Sequence, residues 1–83
     1  MHINAGDFVY RKLEVKREEF SKQVEGYEHV CPRFEDIPQP NKLEICTEVT
    51  TSNVESPYTE IGSTLIAIRG VYYRADEFLP YLP

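Results

Sequence analysis

Eighty-three residues, 41% hydrophobic and 28% charged, suffice for one globular domain (1–83) with a single modest core. They exclude a disordered chain and leave no apolar run long enough for a membrane span. The net charge of −5 gathers between residues 23 and 68, where eight acids meet only Arg33 and Lys42, and from Leu43 to Ile68 there are four Glu and no Lys or Arg. That field repels phosphate, so direct nucleic-acid binding is disfavoured and a protein partner with a basic patch is favoured.

The opening MHINAGDFVYRK has no apolar signal core, so a cytoplasmic location is expected. Gly6-Asp7 signals a turn, and FVYRKLEV follows as a strand. Val9, Leu13 and Val15 share one face, which Arg11 interrupts, while Phe8, Tyr10 and Lys12 put an aromatic patch on the other. KREEFSKQVEG is rich in helix formers, with Phe20, Val24 and Tyr27 at helical spacing and Gly26 as the stop. It predicts a short helix of about ten residues that lays Phe20 and Val24 on a sheet.

Tyr27 to Asn41 is irregular because Pro32, Pro38 and Pro40 forbid regular pairing. It reads as an ordered loop pinned by Val30, Phe34 or Ile37, with EDIPQP as its mobile tip. Lys42 to Thr50 alternates without a break. Leu43, Ile45, Thr47 and Val49 are expected in the core, and Lys42, Glu44, Cys46, Glu48 and Thr50 in water, as in an antiparallel sheet. TTSNVESP is a polar loop, Tyr58 to Ile61 a brief strand, and Gly62-Ser63 a turn. Leu65, Ile66 and Ile68 then form a strand that returns through Arg69-Gly70 into Val71–Arg74, with Gly70 supplying the positive φ of a tight hairpin. ADEFL reads as one helical or 3₁₀ turn that Pro80 ends.

Catalytic signatures are weak. His29, Cys31, Cys46 and His2 lack the close-pair spacing of a structural zinc site, and the two cysteines are expected to be reduced and packed. Glu18-Glu19, Glu35-Asp36 and Asp76-Glu77 are adjacent in sequence and so diverge in space. Four isolated glycines form no phosphate loop. No enzyme activity, cofactor or metal is expected. Tyrosine suits interfaces, and Tyr72-Tyr73 in one strand must send one ring outward, where Tyr10, Tyr58 and Tyr81 can join it.

GDFVYRK and RGVYYRADEFLPYL resemble the first and last strands of small SH3-like barrels, over about a quarter of the chain. YTEIGSTLIAI and the same ending are similar to the later strands of ten-kilodalton chaperonin co-factors. KREEFSKQVEGYEHV would stand in that family's mobile loop, but without its glycine-flanked aliphatic triplet. Both resemblances imply a small, mostly antiparallel β barrel.

The expected fold is therefore mostly β: an antiparallel SH3-like or related barrel of about five strands with one short helix. The expected function is that of a non-catalytic adaptor, inhibitor or assembly factor. Tyr10, Tyr72, Tyr73 and Arg74 would anchor the partner, and Glu44, Glu48, Glu55 and Glu60 would steer it. One alternative is a self-assembling, co-chaperonin-like subunit whose strand edges pair with neighbours. Another is an acidic nucleic-acid mimic that occupies a basic cleft.

Overall fold

The computed structural model describes residues 2–27, 29–55 and 59–82. Among them, six strands form two three-stranded antiparallel sheets, and one helix lies in the long connection between the first two strands. The strands are β1 (Phe8–Arg11), β2 (Glu44–Ile45), β3 (Glu48–Thr51), β4 (Thr64–Ile68), β5 (Val71–Arg74) and β6 (Phe78–Pro80), and the helix is α1 (Arg17–Gln23). One sheet has the order β2-β1-β6 and the other β3-β4-β5. No helix among the described residues is long and apolar enough to cross a membrane.

Both sheets feed one core. Val9 from β1, Cys46, Ile66 and Ile68 from β4, Tyr73 from β5 and Phe78 from β6 pack together, with Ile3, Val71 and Ala75 against them. Strand β4 is central to its sheet, and Ile66, Ala67 and Ile68 are buried on both its faces, which is why LIAI reads as a continuous apolar run. Arg69 and Gly70 turn β4 into β5 with φ of 51° and 80°. Positive φ at both central residues matches the twist of the strands they join. The Arg69 guanidinium donates to Glu44 Oε2 at 3.0 Å and to the carbonyl of Asp36, which ties the turn to β2 and the loop.

The alternation from Lys42 to Thr50 is present, but it is interrupted. Upstream of the break the faces are the reverse of those expected, with Cys46 fully buried and Ile45 50% exposed. Glu44 lies across β1 from Val9, on the inner side, whereas Ile45 lies across from Phe8, on the outer side. Thr47 gives both its N–H and its hydroxyl to the carbonyl of Ala67, and Glu48 is the residue paired with Ala67. Two residues thus oppose one, as in a β-bulge, and the pleat changes phase. Below the bulge Val49 lies across from Ile66, on the inner side, but at the sheet edge it is 38% exposed and does not join the core as expected. The bulge lets one run of chain leave the first sheet as β2 and enter the second as β3, giving two strands where one was expected.

The 3₁₀ turn Ala75–Glu77 is followed by β6, so Pro80 sits inside a strand instead of ending the turn. Thr59 to Ile61 carries no strand, and Tyr58 lies outside the described residues.

Helix α1 has seven residues and no buried side chain, with Gly26 at φ 86° in the turn that ends it. It does not rest its aromatic ring on a sheet as expected. Phe20 meets Phe34 of the 3₁₀ turn Phe34–Asp36 edge-on at 5.7 Å, and the Arg17 guanidinium covers the Phe34 ring at 4.5 Å. The two arms of this excursion are clipped by Gln39, whose amide accepts from Val15 N–H and donates to Val15 O, both at 2.9 Å. EDIPQP is not a free tip, because Ile37 and Pro38 are among the most buried residues of the chain. Val30 is exposed, so Ile37, with Phe34, does the pinning.

Arg11 follows Val9 onto the inner face and is itself buried. Its Nε donates to the Pro38 carbonyl at 2.8 Å and its Nη1 to Glu77 Oε1 at 2.7 Å, while the guanidinium lies over the Phe78 and Tyr73 rings. What looks in sequence like a gap in the apolar face is a tie between β1, the loop, the closing 3₁₀ turn and the core aromatics.

Candidate protein-binding surfaces

The outer face of β3-β4-β5 brings together three of the residues expected to bind a partner. Strand register sets Glu48, Ala67 and Tyr72 in one row and Thr50, Leu65 and Arg74 in the next. Ala67 is small, so the side chains on either side of it can meet. The Tyr72 hydroxyl donates to Glu48 Oε1 at 2.9 Å. That hydrogen bond, then the Glu48 charge and slight desolvation, hold the Tyr72 hydroxyl above its ordinary pKa of 10.0. Arg74 is half-buried beside them and pairs with Asp76 at 2.7 Å.

Next to this row an open groove of about 440 Å³ is lined by Thr50, Thr51, Ser52, Asn53, Val54, Thr59, Leu65 and Tyr72. Its lining mixes apolar Val54 and Leu65 with hydroxyls and the Asn53 amide, which provide donors and acceptors without fixed charge. Ser52 is buried and accepts from Val54 N–H while donating to Val54 O, so it holds the loop that forms one wall. Glu55 and Glu60 are exposed in the same loop region, directly after Val54 and Thr59 of the groove.

The other expected residues are placed elsewhere. Tyr73 is the inward ring of the pair, packed on Phe78 at 5.8 Å between centroids, and so is withdrawn from any surface. Glu44 is turned inward, its side chain only 11% exposed and paired with Arg69. Tyr10 lies on the other sheet, across from Leu79.

That second sheet carries the surface that sequence reasoning missed. On the outer side of β2-β1-β6, Phe8 is flanked by Ile45 of β2 and by Tyr81, whose N–H continues the ladder to Phe8 O at 2.7 Å. Leu43, just before β2, is exposed as well. Phe8, Leu43, Ile45 and Tyr81 are each about half exposed. Part of the signal is in the sequence, since Phe8 and Tyr10 alternate into an aromatic face. Leu43 and Ile45 read instead as core, because nothing local marks the bulge.

A second concavity of about 310 Å³ lies between α1 and the loop, lined by Arg17, Phe20, Val24, Cys31, Arg33 and Phe34, among others. Both arginines already hold carboxylates, Arg17 that of Glu35 at 3.0 Å and Arg33 that of Asp36 at 3.2 Å. Glu35 is held below its ordinary carboxylate pKa by a backbone hydrogen bond first and by Arg17 second. Among the described residues there is no group of three or more His, Cys, Asp or Glu placed to hold a metal ion. Cys31 and Cys46 are both free thiols. No protein-family model matches the chain, and neither does any curated protein or solved structure.

Proposed function

We propose that this protein is a small, non-catalytic protein-binding domain and that its two sheets are the halves of an SH3-like barrel. The barrel reading is supported by the β2–β3 passage shared between the sheets, the single core between them, and the 3₁₀ turn leading into a closing strand. The partner is a protein with a basic patch, held on the outer face of β3-β4-β5. The observation that carries this reading is the Tyr72–Glu48 pair standing beside an uncharged groove, with Glu55 and Glu60 next to it. Tyr72 offers apolar area already oriented by its hydrogen bond, and so gives up little freedom on binding. Exposed Glu48, on the same face, steers cationic groups toward the groove. The reading as a nucleic-acid mimic finds less support, because Glu44 faces Arg69 and contributes little to an outward row of charge.

The test is affinity capture from lysate of the source cell with wild type, Tyr72→Ala and Glu48→Gln. A protein retained at near-equal stoichiometry by wild type, released by salt and lost with both variants, supports the proposal. Retention that neither substitution affects would refute it.

A further inference from the structure

We infer that the basic partner proposed above is held through an extended segment that adds as an antiparallel strand to the edge of β3 away from β4, a placement that rests on β3-β4-β5 being the binding side. Strand β3 stands at the end of its sheet. The Ser52 N–H donates to the Ser63 carbonyl at 2.8 Å, so Ser52 and, by alternation, Thr50 direct their main chain at β4. Val49 and Thr51 direct their N–H and C=O groups the other way, and among the described residues nothing takes them. The ligand such a row recognises is an extended peptide, which presents a donor and an acceptor on one side at every second residue.

The other three edges are blunted. β2 has two residues, and β6 contains Pro80. β5 carries Arg74, ion-paired with Asp76, and runs directly into the 3₁₀ turn Ala75–Glu77. Shortness, proline and edge cations each discourage a further strand. β3 reads EVTT, without proline or lysine and with its last three residues all β-branched. The bulge ends before Val49, and from there the pairing with β4 is regular. Val49 points to the inner side yet is 38% exposed, the kind of surface an added strand covers. The groove follows this main chain, since Thr50, Thr51, Ser52 and Asn53 all line it.

Charge decides which strand is admitted. Glu48 is the charged residue of β3, Glu55 and Glu60 stand in the adjoining loop, and Leu43 to Ile68 contains no Lys or Arg. A second copy would set two such acidic stretches side by side, so self-pairing through β3 is repelled. On a foreign strand, residues across from Glu48 and Thr50 lie on the outer side, where a lysine or arginine meets the Glu48 carboxylate. Residues across from Val49 and Thr51 lie on the inner side, where apolar β-branched side chains cover Val49. The recognised segment therefore alternates cationic and apolar residues.

The experiment is a titration of isotope-labelled protein, followed by its amide resonances, with a capped peptide of alternating lysine and valine. The peptide is about six residues long and is taken to about 1 mM, which reaches weak affinities. Companion peptides carry backbone N-methyl groups on the valines, N-methyl groups on the lysines, or glutamate in place of lysine. Thr51→Pro removes an N–H that β4 does not use. It is compared with wild type and Tyr72→Ala, each shown by its own spectrum to be folded; if Thr51→Pro is not, the methylated peptides still decide. Wild type is expected to bind, with the Val49 and Thr51 amide protons moving downfield. Valine N-methylation and Thr51→Pro each weaken binding by about tenfold or more, whereas lysine N-methylation, whose N–H groups point away from β3, changes it by less than about threefold. The glutamate peptide is expected not to bind.

No movement at Val49 and Thr51, equal affinity for the two methylated peptides, or equal affinity for the glutamate peptide would overturn the inference. Movement that grows with protein concentration alone assigns the edge to a second copy and overturns it too. The proposed function can fail separately. Binding lost with Tyr72→Ala but indifferent to valine N-methylation keeps the outer face and removes strand addition. Binding lost with Thr51→Pro but kept by Tyr72→Ala supports strand addition and removes Tyr72 as an anchor.

Discussion

Replacing Arg11 with alanine tests how the two sheets are held together. The substitution removes the donor to the Pro38 carbonyl, leaving a buried acceptor unpaired at a cost of about 1–3 kcal/mol. It also removes the cation lying 4.8 Å from the Phe78 ring centroid and 5.6 Å from that of Tyr73, worth about 0.5–2 kcal/mol. Breaking a fully buried ion pair costs about 3–5 kcal/mol, but the Glu77 side chain is 35% exposed and can regain water, so that component shrinks to about 1 kcal/mol. The sum is about 4 kcal/mol. Typical stability for 83 residues is about 4–12 kcal/mol, so the variant is expected to sit near the edge of folding, with Tm lowered by roughly 15–30 °C. Arg11→Lys keeps the charge beside Glu77 but not the fork that reaches Pro38, and should recover less than half of the loss. Urea denaturation followed by circular dichroism measures both. A loss below about 1 kcal/mol for Arg11→Ala, with an unchanged m value, would refute the assignment of Arg11 as a structural tie.

The bulge at Thr47 makes an inverted demand on its neighbours. Ile45→Ser, on the exposed side, should cost about 1 kcal/mol or less, whereas Cys46→Asp, which buries an unpaired charge, should cost at least about 3 kcal/mol. The reverse order would rule out the pairing of Ile45 with Phe8. Tyr72 should ionise above its ordinary value when tyrosinate absorbance or ring resonances are followed with pH, and Glu48→Gln should lower its pKa toward that value. Because folding raises this pKa, the stabilising contribution of the pair is fully present below the unfolded phenol value of about 10 and is lost as pH rises through the folded value. A Tyr72 titration indifferent to Glu48→Gln would count against the pairing.

Local chemistry made the β4–β5 hairpin legible. Apolar runs on either side of Arg69-Gly70, with glycine at the second turn position, leave few alternatives, and the strands fall where the pattern puts them. The Phe8 and Tyr10 face was legible for the same reason. The Lys42–Thr50 segment was not. Its alternation is real, yet the phase change at Cys46–Thr47 exists because the chain passes from one sheet to another, and that depends on Ala67, twenty residues away. The burial of Arg11 was hidden likewise, since its partners Pro38 and Glu77 are 27 and 66 residues distant. For the candidate surface, sequence identified Tyr72, Arg74 and Glu48 by type. Only register could show that these three share a face while Tyr73 and Glu44 turn away.

Strand β1 pairs with β2 on one side and β6 on the other. During synthesis it is the first of the six strands to leave the ribosome and the last to have both neighbours. The β3-β4-β5 meander can close through its own turns as soon as it emerges, but Val9 and Arg11 wait for Phe78 and Glu77. Until then Phe8 and Tyr10 are apolar side chains on an unpaired strand, the form most exposed to wrong pairing. The bound on how fast this protein matures is therefore set by the arrival of its final strand and hardly at all by the hairpin that looks most robust in its sequence.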